Sequence, residues 1–307
     1  MIHDDLADFS GTLKGTWLPG KQQPVFPIGG GYSDQHQREM FSAIRDGDAE
    51  AVLNTNPTGG GKTLSWAAPV IRSMEESKPR IALATYPTRA LVADQRKLLP
   101  SYFRSDFEAD DWTPEWDVID SEGGEPKLVH SSGDEVPLSE RVQTVTGAGL
   151  DDPEGTASAF RTAERTVSEA ATDGLPSIVL TTPDALTLLA TGRYSDKDLG
   201  ALPSLVDLIV VDEFHLTSAR GKRLLPFHLD TYLTRGSGEL EQLVFLSATP
   251  MADYTERIER SFDTVHVTRA LESSPPDTGR EILPETNFGV TNRPLFQTGE
   301  WLATQSD

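Results

Sequence analysis

"AVLNTNPTGGGKT", residues 51–63, is a short apolar run that empties into three glycines, a lysine and a threonine. Such a loop between a strand and a helix turns its backbone N–H groups inward, where they cradle phosphate oxygens. Thr58, Gly59, Gly60 and Gly61 form the cradle, and Lys62 reaches the β- and γ-phosphates. Thr63 offers a hydroxyl to Mg²⁺, and the helix starting near Lys62 adds its positive end. The formal pattern asks for glycine at position 56 and finds Asn56. That departure removes no group the chemistry needs. A glycine-rich turn with no ligand is the bland alternative, and the Gly-Lys-Thr ending argues against it. The stretch reads as an ATP loop.

Outward from it, a strand–loop–helix rhythm fills most of the chain. "KTLSWAAPVIRSMEE" (62–76) has helical spacing, "RIALATYP" (80–87) is a strand and "RALVADQRKLL" (89–99) is its helix. "SIVLTT" (177–182) and "DALTLLA" (184–190) repeat the unit. "LVDLIVVDE" (205–213) and "QLVFLSATP" (242–250) are two more apolar runs with polar ends. Nearly continuous apolar strands alternating with helices specify an α/β fold, a parallel sheet covered on both faces. Ligands of such sheets bind beyond the carboxyl ends of the strands. Every distinctive motif of this chain stands at such an end.

In "VVDEFH" (210–215), Asp212 is placed to hold Mg²⁺ and Glu213, pointing the other way, to orient or deprotonate an attacking water. Acids often end strands, and these two gain meaning from the phosphate loop upstream. His215 alone reads as structural; after two acids it reads as a coupling group. Ser247 and Thr249 of "SATP" (247–250) offer hydroxyls that could bond to His215 or the acids, or cap the helix that begins in "MADYTERIERS".

The ordered set "NPTGGGKT", "TYPTRALVADQ" (85–95), "TTPDAL" (181–186), "DEFH" and "SATP" resembles motifs I, Ia, Ib, II and III of superfamily 2 helicases, over roughly residues 32–268. The resemblance implies a RecA-like P-loop domain that uses ATP and Mg²⁺. It assigns Pro87, Thr88 and Arg89, with Thr182, Pro183 and Asp184, to the phosphate backbone of one nucleic-acid strand. Hydroxyls and helix N-termini at strand ends suit that contact, although Asp184 also reads as a helix cap. "YSDQHQREMFSAI" (32–44) resembles the segment in which such helicases read adenine with a glutamine. Gln37 has the spacing, Gln35 is its rival, and a polar helix face is the bland reading.

Within the superfamily, the phosphate loop, "TTPDAL" and "DEFHL" are most similar to the CRISPR-associated helicase of type I systems, in its type I-D-like form. That likeness implies a motor on single-stranded DNA in antiviral defence, beside a surveillance complex and a separate nuclease. The "HD" at residues 3–4 lacks further metal-ligand histidines. Two other functions stay open: an RNA or DNA helicase of another pathway, and a nucleotide-binding adaptor that does not hydrolyse ATP.

Composition bounds the setting. The 307 residues carry 48 acids against 27 bases, only 8 of them lysine, for a formal charge of -21 and no cysteine. Disulfides and thiolate metal sites are therefore excluded. At molar salt the Debye length is about 3 Å, which screens the self-repulsion. The balance suits a salt-accumulating halophile, and an ordinary acidic protein is the alternative. It does not decide for or against nucleic acid, since backbone amides and helix N-termini also bind phosphate. With no signal peptide or apolar span in view, a cytoplasmic protein is expected.

Residues 101–175 carry 18 acids and 5 bases; they read as a solvated insertion with one helix, "ASAFRTAERTVSEAA" (157–171). Residues 1–31 read as an extension, and 271–307 as a linker or the start of a second domain. The 58 residues after Thr249 hold no second strand–helix series. A chain of this kind is expected to bind ATP but to translocate poorly without a second motor domain, which supplies an arginine worth roughly 10³–10⁵ in rate.

Overall fold

The apolar runs form strands and the periodic runs form helices, close to where the spacing places them. The computed structural model describes residues 9–13, 16–18, 35–56, 61–75, 79–103, 116–119, 127–146, 153–190, 202–214, 240–248, 252–268, 280–283 and 286–290. The first of these hold strands β1 (Phe9–Leu13) and β2 (Thr16–Leu18), helix α1 (Gln35–Asp46), β3 (Ala51–Asn54) and α2 (Lys62–Arg72). Next come β4 (Ile81–Thr85), α3 (Arg89–Phe103), β5 (Trp116–Ile119), β6 (Lys127–His130), β7 (Glu135–Pro137) and β8 (Val142–Val145). Then follow α4 (Pro153–Thr172), β9 (Ser177–Thr181), α5 (Pro183–Ala190), α6 (Leu202–Leu205), β10 (Leu208–Val211) and β11 (Gln242–Leu246). The last elements are α7 (Ala252–Ser261), β12 (Val265–Thr268), β13 (Arg280–Leu283) and β14 (Thr286–Val290).

Seven strands form one sheet in the order β12-β3-β11-β10-β4-β9-β8, and every neighbouring pair runs parallel. Alternate strand residues enter two cores. Val52, Ala82, Ala84, Leu180, Val210 and Val244 pack with α1, α2 and α3 on one face. Leu53, Leu83, Val179, Ile209, Val211 and Phe245 pack with residues of α4, α5, α6 and α7 on the other. The five central strands are buried throughout. Each such Val, Leu or Ile contributes about 1.5–3 kcal/mol of burial, which is why these runs read as continuous rather than alternating.

The amino ends of the strands are tied down by a polar knot. Asp207 Oδ2 accepts the Ile81 amide at 2.8 Å, and Gln242 Nε2 donates to the carbonyls of Ala43 and Ala49 at 2.8 and 2.9 Å. Arg80 Nη1 donates to Gln242 Oε1 at 3.3 Å. Buried polar groups satisfied in this way fix strand register. The opposite, carboxyl edge is thereby left for ligands.

Two expectations need correction. The acidic segment 101–175 is not all peripheral: β8 is an edge strand of the main sheet, and α4 lays Phe160, Ala163 and Val167 onto it, all buried. On α4 Glu169 is exposed and Glu164 half-buried, while the apolar period-3.6 stripe is what packs. The three-stranded antiparallel unit β5-β6-β7 is the part of this segment that stands outside the main sheet. The segments read as extension and linker also pair with each other, β1 with β14 and β2 with β13, both antiparallel. These short strands are hidden in a Pro-, Gly- and Ser-rich context because their pairing is non-local.

Candidate functional site

All the motif strands end on one edge, and backbone bonds continue the ladder past the sheet. The amide of Ser247 donates to Asn54 O, that of Asp212 to Thr85 O, and that of Tyr86 to Thr181 O, each at 3.0 Å. The phosphate-loop strand β3 is thus separated from the Asp212 strand β10 by β11, which delivers Ser247 between them.

Gly61 precedes α2 with φ 74° and ψ 30°, a left-handed conformation that glycine adopts without strain. Its carbonyl accepts Gln37 Nε2 at 3.3 Å, and a Cβ built on it would collide with that same amide. Conformation calls for glycine there, and a Cβ would also push the end of the Gln37 side chain aside. Gln37 is buried, so the adenine-reading candidate is locked to the end of the phosphate loop.

Lys62, the first residue of α2, is 7% exposed. Its Nζ donates to Asn56 O at 3.0 Å and lies 4.0 Å from Glu213 Oε1. Burial pushes its pKa down, and the charges of Glu213 and Asp212 push back. Glu213 is the one non-glycine residue at positive φ (46°) among the described residues. The sequence reading had it pointing away from Asp212; the left-handed turn instead brings its carboxylate to the same lysine. Its amide donates to Asp212 Oδ1 at 2.8 Å. Asp212, 7% exposed, has its pKa pushed up to about 7, first by burial and then by the Glu213 charge, with that amide and Lys62 opposing. Such backbone outliers carry a cost of order 1–3 kcal/mol and cluster at functional sites.

Two carboxylates held against one lysine leave the pocket short of positive charge. The hard oxygens of Asp212 and Thr63 suit Mg²⁺, which binds through few carboxylates plus phosphate oxygens. Among the described residues no group of three or more His, Cys, Asp or Glu could hold a metal unaided.

On the neighbouring strand ends, Thr88 Oγ1 accepts the Leu91 amide at 3.3 Å and Thr182 Oγ1 accepts the Ala185 amide at 3.4 Å. Both threonines are N-caps, of α3 and α5, and each keeps a hydroxyl proton to donate. The cap of α5 is therefore Thr182 and not Asp184, which is exposed in the first turn with Pro183 ahead of it. Arg89 is exposed and Pro87 half-buried. Thr58, Gly59, Gly60, His215 and Thr249 lie outside the described residues. Sequence reasoning missed Tyr86, buried beside α2, whose pKa is driven well up by burial and by the charge of Asp212. It also missed Asn54, though the "NTN" that closes β3 was its signal.

Residues 34–115 match the DEAD/DEAH box helicase family. That stretch of the chain is thus similar to a DEAD/DEAH box helicase domain, and the parallel α/β sheet around it is the fold of such domains. It is 36% identical over 64 residues, 21% of its length, to the uncharacterized ATP-dependent helicase YprA of Bacillus subtilis (strain 168), of which it covers 8%. The crystal structure of the DUF1998 helicase MrfA bound to DNA superposes with a TM-score of 0.55 at 18% identity, over 97% of this chain and 37% of that one. The structure of MrfA with DNA and AMPPNP gives the same values. The chain thus spans well under half the length of these two helicases. Among its described residues no helix is long and apolar enough to cross a membrane.

Proposed function

We propose that this chain is the ATP-binding motor part of a helicase that moves on one nucleic-acid strand, with DNA favoured. The observation that carries the reading is the meeting of Lys62, Asp212 and Glu213 at one strand edge, with the caps Thr88 and Thr182 on the ends of β4 and β9, the next two strands beyond the Asp212 strand. Lys62 is poised for the β- and γ-phosphates, and Gly61 and the start of α2 add backbone donors. Bound Mg²⁺ supplies charge neutralisation on the transferred phosphoryl group. Asp212 and Thr63 would hold it. Glu213 orients the attacking water and takes its proton, and Gln37 reads the adenine while fixing the end of the loop. Ser247, bonded to the phosphate-loop strand, with His215 and Thr249, relays nucleotide state. Thr88, Arg89, Thr182, Pro183 and Asp184 line the strand path with helix N-termini.

The motor domain takes in residues 32–270. DNA is favoured because the MrfA structures superposed above are complexes with DNA. A role as the type I CRISPR-associated helicase is the finer reading, supported by the phosphate loop, "TTPDAL" and "DEFHL". The names of YprA and MrfA carry no such association, and the general motor is the reading put forward.

The test is ATP turnover and nucleotide binding by the chain in molar KCl, with and without single-stranded DNA or RNA of matched sequence. Binding with turnover stimulated by DNA supports the motor. Binding that persists with no turnover under any condition, including with a partner motor domain, makes it an adaptor. Preference for RNA moves it to another pathway.

A further inference from the structure

We propose that Asn54 and Asn56 form a positioning pair that sets Lys62 for the phosphates, in place of the glycine the loop pattern asks for. The proposal rests on the nucleotide-site reading. Asn54 closes β3 and is fully buried. Its Oδ1 accepts two bonds from one residue, the Asn56 amide at 3.0 Å and Asn56 Nδ2 at 2.7 Å. The carbonyl of Asn56 is where the Lys62 ammonium rests, at 3.0 Å. Two anchors on one oxygen fix the Asn56 amide and side chain, and so limit the directions that carbonyl can take. A glycine would keep one anchor and regain backbone freedom.

Asn54 is also where three other parts meet. Its Nδ2 donates to Met40 Sδ of α1 at 3.2 Å, on the helix that carries Gln37, and its carbonyl accepts the Ser247 amide at 3.0 Å. The pair therefore joins the adenine helix, the "SAT" strand end and the lysine through contacts that are all buried.

The arrangement has an uncompensated cost. Asn56 Oδ1 is buried with no hydrogen-bond partner among the described residues. Turning the amide over would set that oxygen against Asn54 Oδ1, so the orphan is inherent in the pair. Glycine or alanine would carry no orphan, and a side chain kept only for stability gains nothing from one. This gives the proposal a sign that a structural role does not share: removing the Asn56 side chain should leave stability unchanged or raised while weakening the grip on phosphates.

The experiment compares mant-ATP and mant-AMP binding, with melting temperature, for the wild type and the variants Lys62→Ala, Asn56→Ala, Asn56→Gly, Asn54→Ala and Asn54→Ala/Asn56→Ala. Asn56→Ala and Asn56→Gly should each weaken mant-ATP by about tenfold, equivalent to about 1.4 kcal/mol. Mant-AMP affinity should stay within about twofold, a few tenths of a kcal/mol, and the melting temperature should not fall. The double variant should lose no more than Asn54→Ala alone, because both changes cut the same link. Wild-type mant-ATP affinity in both Asn56 variants, equal losses for ATP and AMP, or additive losses in the double variant would each overturn the proposal. If the wild type binds mant-ATP no better than Lys62→Ala, the nucleotide-site reading itself fails, and the proposal with it.

Discussion

Lys62 and Glu213 face each other at 4.0 Å, drawn together by a helix start that follows a left-handed glycine and by a glutamate that is itself left-handed. The first suits glycine and the second is no local preference of glutamate, and together they put a cation and an anion on opposite sides of the space where a terminal phosphate and its attacking water would lie. Substituting Glu213→Gln keeps shape and removes the base. Turnover should fall by roughly 10²–10⁴, the usual worth of a positioned general base. Nucleotide affinity should hold or rise, since Asp212 loses a like-charged neighbour. Equal loss of binding and turnover would assign Glu213 to the ground state instead.

Asp212 makes the site sensitive to pH near neutrality. Its folded pKa of about 7 stands above the ordinary 3.8. Between those values the folded chain holds a proton that the unfolded chain has released, so the free protein loses stability as pH rises through the window and levels off above 7. Binding of Mg²⁺ and nucleotide needs the carboxylate and runs the other way: it expels the proton, and affinity gains up to about tenfold per pH unit below 7. Calorimetry in two buffers of different ionisation enthalpy should show up to about one proton released at pH 6 and close to none at pH 8.5. Proton release that does not vary with pH would remove Asp212 from the metal's ligands.

Gly61 joins stability to base recognition. Alanine there costs about 1–2 kcal/mol for its left-handed conformation, which lowers the melting temperature by about 2–3 °C at this size. The same Cβ displaces the Gln37 amide, so discrimination of ATP from GTP should fall as well. Gln37→Ala should lose the discrimination with little change in melting temperature. Full discrimination in Gln37→Ala would return adenine reading to Gln35 or to the backbone.

What could be read in the sequence is what short-range physics specifies. Leu208–Val211 and Leu243–Leu246 are buried on both faces, so they had to be apolar without interruption. The acids, hydroxyls and glycines that follow them had to stand at the carboxyl edge. The Pro at the first position of α5 already marked Thr182 as its cap. Long-range pairing left weaker traces. Val265–Thr268 and Val142–Val145 are short, half-polar edge strands, legible only once β3 and β9 are there to receive them. The order β3-β11-β10, which inserts Ser247 between loop and acid, has no local signature. The left-handed turn at Glu213 has none either, because Glu does not favour it and only its neighbours hold it there.

The two threonine caps allow stability and strand binding to be separated. Thr88 is exposed and caps α3 while keeping a hydroxyl proton for phosphate. Thr88→Ala removes both roles. It should cost about 0.5–2 kcal/mol of stability and weaken single-stranded DNA. Thr88→Asp retains the cap, and its charge suits the positive end of a helix, but it repels phosphate. Its melting temperature should therefore match the wild type while DNA affinity falls further than in Thr88→Ala. Arg89→Ala should leave melting unchanged and flatten the salt dependence of DNA binding by about 0.7 in log–log slope, the mark of one lost phosphate contact on a single strand. If Thr88→Asp binds DNA as the wild type does, the strand does not pass over the start of α3, and the path must be sought at the Thr182 end of the edge.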